Sequence, residues 1–595
     1  MPELNFKGKE FVYNHHLTVP FRPLEPQADK GIGESSLDGN LIIHGDNLHA
    51  LKALMPMYAG EVDCIYIDPP YNTGSEDWRY NDNVNSPMIN EWLSENPVGI
   101  DDGLRHDKWC AMMWPRLSLL RDLLADEGVI FVSIDSNEFS SLKMIMDEVF
   151  GQDNYIGEFV WKSRQNKDNR NENGLSNDHE FVLCYGAPLS GEPRSAADYT
   201  NPDNDNRGPW ASGNMVGLAS KEARPNLHYD LIDPQTGINY GCPRRGWRFE
   251  PQTMDRLIEE RRILWPEKKS GRPRRKVFLD ELPARTNVSS VVQLPIFTNT
   301  GSKKLRAIMG EDAFEFPKPS ELIEHLIGLL ERDDITVLDS FAGSGSTAEA
   351  VLAANVKDMG TRKFILVEGE DYADTLTAER VRRVVRGYAF TGKKREELLR
   401  EKVTLARLKK ADAMLEKVQK IEVSDGDRFD KIKLTVKDGW LVVTGEQDCE
   451  ETAPGLGGTF TYCTLGDPID MDGLLTGEDL PELQPLASLL YHTATSQAFE
   501  ANQLKAAPDI GEGVHRLGTA NGRHLWLFYK PDLDWLKSGE AALTLSKARA
   551  IAASEEGEHL IFSPAKFVSR DLLKSQNIRV EYAPLPYALY RVETA

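Results

Sequence analysis

Apolar residues along this chain follow two rhythms. Short unbroken apolar runs alternate with stretches where apolar positions recur every third or fourth residue, the pattern of buried strands feeding amphipathic helices. Leu41–Ile43 reads as the first such strand. The polar turn Gly45-Asp46-Asn47 follows it, and Leu48, Leu51 and Leu54 then mark one face of a helix. Val62–Ile67 repeats the strand and stops at the sharp break of Pro69-Pro70. Residues 73–107 are polar, rich in Asn, Asp and Gly, and read as a mobile loop. The segment from Trp109 predicts a helix, a Gly turn and the strand Val129–Ile134. Residues 158–186 predict two strands around an Asn-rich loop.

Between about 190 and 290 the periodicity fades, and Pro, Gly, Asn and Arg dominate. Alternation then resumes with a helix over 319–330, and ITVLDSFAGSGSTAEAVLAA reads as a strand, a Gly-rich turn and another helix. The next strand, KFILVEGED, ends in acids. Residues 375–420 read as strongly helical and charge-laced. Leu405, Leu408, Leu415 and Val418 form a stripe that suits a lone amphipathic helix as well as a coiled coil. After residue 421 the segments WLVVTG, TFTYCTLG, HLWLFYK and ALYRVE predict short strands of a separate α+β domain. Strands alternating with helices in two separated blocks predict one doubly wound α/β sheet interrupted by an insertion. The expected domains are an N-terminal arm over 1–38, a core in two halves over 39–189 and 291–390, an insertion over 190–290, a helical linker over 391–420 and an accessory domain over 421–595. Ligands of such sheets sit at the carboxyl ends of strands, where three of the polar turns lie.

The chain has 595 residues, too many for one compact core. No apolar run reaches the roughly 18–20 residues of a membrane helix, and the first thirty residues do not read as a secretory signal. The 6 Cys are widely spaced with no CxxC pair, which suits a reducing cytoplasm and speaks against a disulfide framework or zinc ribbon. Net charge is −23, unfavourable for nonspecific nucleic-acid binding. The charge is uneven, however. Residues 421–595 hold 16 basic and 27 acidic side chains, whereas residues 241–276 hold 12 basic and 5 acidic ones. A basic island in an acidic chain suits a polyanion met at one defined face; a solvated basic loop is the other reading. Trp247 and Trp265 are interleaved there with Arg244, Arg245, Arg248, Arg261 and Arg262. Each Trp taken singly favours core packing, while Arg can grip phosphates or read guanine edges.

Two motifs carry chemistry. In VLDSFAGSGST, Asp339, Gly343 and Gly345 stand between a strand and a helix. Glycines there let the backbone approach a ligand closely. No Lys-Ser or Lys-Thr follows the second Gly, so a phosphate-binding loop fails, and the three-glycine dinucleotide spacing is absent. Glu368 and Glu370, at the end of the next strand, suit ribose hydroxyls. An adenosine-bearing ligand without a pyrophosphate fits, with a tight strand–helix turn as the structural alternative. The second motif is Asp68-Pro69-Pro70-Tyr71. Two prolines remove two N–H donors and leave carbonyl acceptors at the strand end. Asp68 adds a carboxylate and Tyr71 a flat ring. A carboxylate and a carbonyl together can hold both hydrogens of a base amino group, whose nitrogen must gain tetrahedral character before it attacks a methyl carbon. The ring can stack a base taken out of the duplex. A rigid strand end with a buried Tyr would use the same four residues, but the Gly-rich turn in the same chain favours the chemical reading.

Together IDPPYNTG and LDSFAGSGST resemble the amino-methyltransferases of DNA that use S-adenosylmethionine. The Asp-first tetrapeptide resembles the adenine-N6 enzymes, and the order of the motifs resembles the circularly permuted β group. HGDNLHALKAL, RHDKWCAMMWPRL, FPKPSELIEHLI and TAERVRRV resemble the modification subunits of Type III restriction-modification systems. The resemblance covers about residues 40–390. It implies a Rossmann-like methyltransferase sheet with its target-recognition region in the 190–290 insertion. It implies that Asp68 and the Pro69 carbonyl hold the target amino group, that Pro70 stiffens the turn, that Asn72 extends it and that Tyr71 stacks the base. Asp339, Phe341, Gly343 and Gly345 would form the cofactor loop, Glu368 would meet the ribose, Asp46 would lie beside the adenine, and Lys318 would stand at the cofactor-side helix start. The basic residues Arg244, Arg245, Arg248, Arg272, Arg274 and Arg275 would contact DNA. Expected partners are double-stranded DNA, a second copy of the chain as a homodimer and a restriction (helicase–nuclease) subunit, with no membrane, and the expected setting is the cytoplasm. No metal is expected, and the scattered acids of 76–107 read as a solvated loop. Cytosine-C5 methylation is rejected, because its Cys nucleophile and Glu-Asn-Val motif are missing. A stand-alone adenine or cytosine-N4 methyltransferase and a catalytically silent specificity subunit are the remaining alternatives.

Overall fold

A computed structural model describes residues 3–73, 103–167, 174–310, 313–404, 411–437, 439–469, 480–495, 497–520 and 522–585. The apolar runs become a ten-stranded sheet. Its strands are β1 (Leu24–Pro26), β2 (Leu41–His44), β3 (Val62–Ile67), β4 (Leu124–Ile134), β5 (Tyr155–Trp161), β6 (Glu180–Gly186), β7 (Val291–Val292), β8 (Thr336–Asp339), β9 (Lys363–Glu368) and β10 (Thr461–Leu465). Their order is β1-β10-β2-β9-β8-β3-β4-β6-β5-β7. The run from β10 to β4 is parallel, and β6 enters antiparallel to both β4 and β5. The result is a mixed α/β sheet.

Both faces of this sheet are buried, which is why its strands are apolar without alternation. Leu41, Ile43, Ile65, Ile67, Ile130, Val132, Leu338, Ile365 and Val367 point into one core, shared with the helices α1 (Asn47–Tyr58), α2 (Arg105–Leu123) and α3 (Phe139–Met146). Their neighbours Ile42, Cys64, Tyr66, Phe131, Val337, Phe364 and Leu366 are equally buried on the other face. Elsewhere in the same half of the chain lie α4 (Thr298–Met309), α5 (Ser320–Ile327), α6 (Ser346–Asp358) and α7 (Glu379–Arg386).

Among these last helices runs a buried charge network. The fully buried Arg380 donates through Nη1 to the Ser344 carbonyl (3.2 Å), Ser344 Oγ (2.8 Å) and Ser346 Oγ (2.8 Å), and through Nη2 to Glu349 Oε2 (2.7 Å). Lys304 completes Glu349 at 2.6 Å. The guanidinium therefore stitches the end of the Gly-rich turn to two helices.

A second compact unit comprises Leu189–Val288 with residues 329–331. It contains a small sheet of Trp210–Gly213, Arg274–Phe278 and Ile263–Leu264, and its own core of Met215, Leu231, Trp247, Met254, Leu257 and Ile263.

Two expectations are corrected. The continuous helix over 375–420, and with it the helical linker over 391–420, is replaced by a long strand, Gly387–Lys402, paired antiparallel with Trp440–Pro454. The sequence KKREELLREK has good helix formers, but pairing across the sheet and the burial of Leu398 and Leu399 against Val418, Leu441 and Val443 override that weak preference. A helix does form over Ala411–Asp425, while Leu405 and Leu408 lie outside the described residues. The C-terminal region is also not wholly separate. TFTYCTLG supplies β10, which lies beside β2, and the N-terminal arm adds β1 to β10. Beyond β10 a five-stranded sheet with its own apolar clusters does form. The polar stretch 74–102 and ALYRVE fall outside the described residues.

Removing Arg380 leaves Glu349 and two seryl hydroxyls short of a buried partner. Arg380→Met is expected to cost about 3–5 kcal/mol in urea unfolding, and Lys304→Met less, because its side chain is 29% exposed.

Candidate active site

The parallel pairing of β3 with β8 aligns Val337 with Cys64 and Leu338 with Ile65. The carboxyl ends of the two strands therefore open side by side, and the Asp68 turn and the Gly-rich turn emerge next to each other. β9 lies on the other side of β8 and brings Glu368 level with His44 at the end of β2. Three turns separated by up to three hundred residues of sequence thus converge on one edge.

At the first turn, Tyr71 Oη donates to Asp68 Oδ1 (2.8 Å) or Glu180 Oε2 (3.1 Å). Lys318 Nζ donates to Tyr71 Oη (2.5 Å), lies 3.1 Å from Asp68 Oδ1 and 2.9 Å from Glu180 Oε2, and stands 4.7 Å from the centre of the Tyr71 ring. One ammonium therefore serves two carboxylates and a phenol. Burial pushes the Asp68 carboxyl above its ordinary value, against the pull of Lys318 and with a further push from Glu180. Burial acts in the same sense on Glu180, but there Lys318 and hydrogen bonds from Ser163 and Tyr71 outweigh it and hold the group low. Burial and the two acids keep Tyr71 a phenol far into the alkaline range. A quarter of the Asp68 side chain remains exposed, so a ligand can reach it.

The prolines leave two carbonyls at the strand end. That of Pro70 accepts from Trp109 Nε1 (2.7 Å), whereas among the described residues that of Pro69 accepts no hydrogen bond. Asn72 is fully buried in the left-handed region (φ 57°), and its amide donates to Glu138 Oε1 (2.5 Å) and the Arg105 carbonyl (3.2 Å). A left-handed, amide-anchored residue directly after Tyr71 fixes how the chain leaves the turn.

At the second turn, Asp339 Oδ1 accepts from Phe341 N (3.0 Å) and Oδ2 from Thr347 Oγ1 (2.5 Å). Gly343 and Gly345 both have positive φ (50° and 79°), and a Cβ on Gly343 would stand 3.2 Å from the Phe314 ring. Gly343 N donates to Glu368 Oε2 (2.7 Å), and Glu370 N to Glu368 Oε1 (3.0 Å). Phe341 is partly buried against the main core. Burial raises Asp339 to about 7, opposed by the Thr347 and Phe341 hydrogen bonds. Glu368 is likewise raised by burial to about 7. The Ser340 hydroxyl is buried without a partner among the described residues. At the third turn, Asp46 caps α1 by accepting from Leu48 N (3.0 Å) and His49 N (3.2 Å). Burial opposes its ionisation, but His49 and Arg116 prevail and bring it down to about 2.

Lys318 stands just before the start of α5. Its side chain reaches the Asp68 cluster, and its carbonyl accepts from Ser346 Oγ (2.7 Å) at the end of the Gly-rich turn. Glu180 was not singled out by sequence reading. The signal available was an acid opening an otherwise apolar strand, EFVLCYG, a weak cue without the fold.

In the second unit Arg244, Arg245, Arg248 and Arg272 are exposed, and none of them pairs with an acid among the described residues. Arg274 is held by Ser212 (Nε to Oγ 2.6 Å, Nη2 to the carbonyl 2.8 Å), and Arg275 lies over the Phe249 ring at 4.9 Å. Arg262 and Lys276 are committed to Glu260, Glu281, Asp203 and Asp205. Trp247 is core, and Trp265 stacks on Tyr240 at 5.7 Å. Among the described residues no group of three or more metal-ligating side chains occurs, and no helix is long and apolar enough to cross a membrane.

Comparison with known proteins places this arrangement. The StyLTI Mod subunit of a Type III restriction-modification enzyme from Salmonella typhimurium is 30% identical over 388 residues, 61% of this chain and 58% of that protein. The EcoP15I Mod subunit from Escherichia coli is 31% identical over 392 residues, 56% of this chain and 59% of that protein. The chain thus spans about six tenths of the length of these Type III relatives. The Type II methyltransferase M.KpnI of Klebsiella pneumoniae is 32% identical over 348 residues, covering 54% of this chain and 79% of that protein. The family model described as DNA methylase, for the N6 and N4 methyltransferases, matches residues 62–378, which hold the Asp68 turn, the Gly-rich turn and Glu368. The chain belongs to this DNA methylase family.

Proposed function

We propose that the protein is a site-specific DNA methyltransferase that moves a methyl group from S-adenosylmethionine to adenine N6 in double-stranded DNA, as the modification subunit of a Type III restriction-modification system. The observation that carries this reading is the side-by-side emergence of the Asp68-Pro69-Pro70-Tyr71 turn and the Gly-rich turn from the paired strands β3 and β8. In chain order the strand of the catalytic turn precedes that of the Gly-rich turn, which supports a circularly permuted methyltransferase sheet. Identity to Type III Mod subunits supports the system and its restriction-subunit partner.

The residues present fit the cofactor. A glycine loop too tight for side chains, an unpartnered buried Ser340 hydroxyl and two carboxyls at strand ends offer close backbone approach and acceptors for hydroxyl groups. Asp339, Phe341, Gly343, Gly345 and Glu368 would hold it, with Asp46 at the neighbouring turn. When bound, it supplies an electrophilic methyl group on a cationic sulfonium. The chain's own part is positioning and polarisation. Asp68 and the open Pro69 carbonyl accept the two amino hydrogens of a flipped adenine, directing the nitrogen lone pair outward. Pro70 and the Asn72 anchor keep that acceptor pair from turning away. The Tyr71 ring offers the base a stacking face.

The unit of Leu189–Val288 is assigned to target recognition. Its exposed Arg244, Arg245, Arg248 and Arg272, none with an acidic partner among the described residues, are the groups best suited to meet phosphates, with Arg274 and Arg275 contributing from more constrained positions. M.KpnI, covered over 79% of its length, supports a second reading as a self-standing methyltransferase. Association with a helicase–nuclease separates the two readings.

Sequencing the methylome of cells with and without the gene should reveal N6-methyladenine at one sequence; N4-methylcytosine there, or no new mark, would overturn the adenine assignment. Asp68→Ala should lower methyl transfer by about 10²–10³-fold or more while cofactor affinity, measured by calorimetry, stays within a few-fold. Because Asp339 and Glu368 are held near 7 and a sulfonium favours their ionised forms, S-adenosylmethionine should bind more tightly as pH rises from about 6 to about 8. The neutral thioether product should respond less. Arg244→Glu and Arg272→Glu should weaken DNA binding most at low salt, each cutting the slope of log affinity against log salt by about 1 or more.

A further inference from the structure

Lys318 sits between two acids with unequal tasks. Asp68 faces the place proposed for the amino group, whereas Glu180, at the start of β6, reaches the same ammonium from the other side. Methyl transfer to an exocyclic amine leaves nitrogen with one hydrogen too many. An N–H bond must then break, its electron pair staying on nitrogen, and a nearby base must take the proton. Asp68 is the carboxylate in place for this. An Asp68 paired alone with Lys318 would be a weak base and a poor acceptor, because the adjacent cation stabilises its anion.

We propose that Glu180 is a positioning residue that shares Lys318 with Asp68 and so keeps Asp68 free to hold the amino group and accept its surplus proton. This rests on the methyltransferase reading above. The geometry carries it: Nζ lies 2.9 Å from Glu180 Oε2 and 3.1 Å from Asp68 Oδ1, and Tyr71 Oη bridges the same two oxygens. The proton taken by Asp68 leaves through that side chain's exposed quarter, so no other acceptor is needed.

Among the described residues, the charged and titratable surroundings of the two acids are the following. Asp68 faces Lys318 from the turn before α5, Glu180 from β6, Tyr66 and Tyr71 from its own strand and turn, and Asp339 from β8. Glu180 faces Lys318, Tyr71, Ser163 after β5 and, more distantly, Asp135 after β4. Lys318 is the cation of this set, so a change in how it is divided should appear in Asp68. Burial together with Glu180 already holds Asp68 above the ordinary carboxylate range, while Glu180 stays low. That is the division the proposal requires.

The test is single-turnover methylation of unmethylated duplex DNA carrying the sequence that the protein modifies, at saturating S-adenosylmethionine, followed across pH. In Glu180→Gln the acid limb of the rate profile should move down by about one pH unit, since Asp68 then has Lys318 to itself, and the plateau rate should fall about tenfold. In Lys318→Met the acid limb should move up. A merely structural role would lower both plateaus without moving the limbs in opposite directions. An unmoved or raised limb in Glu180→Gln overturns the proposal, and so does an unmoved or lowered limb in Lys318→Met, which decides the matter if Glu180→Gln does not fold. A wild-type protein that transfers no methyl group overturns the preceding functional reading instead.

Discussion

A buried ammonium shared between two carboxylates and a phenol is the constraint on which this site depends. Lys318 contributes its side chain to Asp68, Tyr71 and Glu180 and its carbonyl to Ser346 at the start of α6. One residue thereby ties the turn that would hold an amino group to the loop that would hold its methyl donor. Buried charges are tolerated only when paired, so neither acid can lose this cation without a large penalty. One side chain and one peptide thus link the two turns that the strand pairing sets side by side. Arg380 also serves the Gly-rich loop, so Ser346 Oγ is held by the Arg380 guanidinium and by the Lys318 carbonyl.

The parallel sheet does the coarse alignment. Strand register brings Asp68, Asp339 and Glu368 to one edge although they are far apart in the chain. The carboxyls of Asp339 and Glu368 are spent largely on the loop's own N–H and O–H groups. Their first task is to hold the backbone in the shape a nucleoside would need, and only the remaining lone pairs face outward. That makes the loop a preorganised surface whose polarity depends on protonation near neutrality.

Most of the core was legible in the sequence, because buried parallel strands leave unbroken apolar runs and their ends leave turn residues. Leu41–Ile43 and Val62–Ile67 came through with boundaries nearly intact, and the strand read over KFILVEGED stops earlier, at Glu368. The two motifs were legible because prolines and glycines have few structural uses. What the sequence hid is what depends on distant pairing. Gly387–Lys402 has the local composition of a helix and becomes a strand only through its partner at 440–454. Glu180 looks like an ordinary strand-opening acid until the fold sets it beside Lys318. The restraints on the Arg residues of the insertion were equally hidden: Ser212 and Phe249 hold two of them and Arg245 reaches the Leu218 carbonyl, while Arg244, Arg248 and Arg272 are exposed with no acidic partner among the described residues.

The place of β10 has an architectural consequence. Residues Thr461–Leu465 lie against Leu41–His44, and Leu24–Pro26 lies against them in turn. Both flanks of the sequence are woven into the flank of the sheet nearest the Asp46 turn. Clipping the polypeptide after the family-matched stretch would bare the backbone of a strand whose first three residues are apolar, Leu41–Ile43, an open edge prone to sticking to its own kind. The minimal unit that behaves well in isolation therefore has to run past residue 465, and a catalytic fragment trimmed to its motifs alone would be a fragment with an unsealed seam.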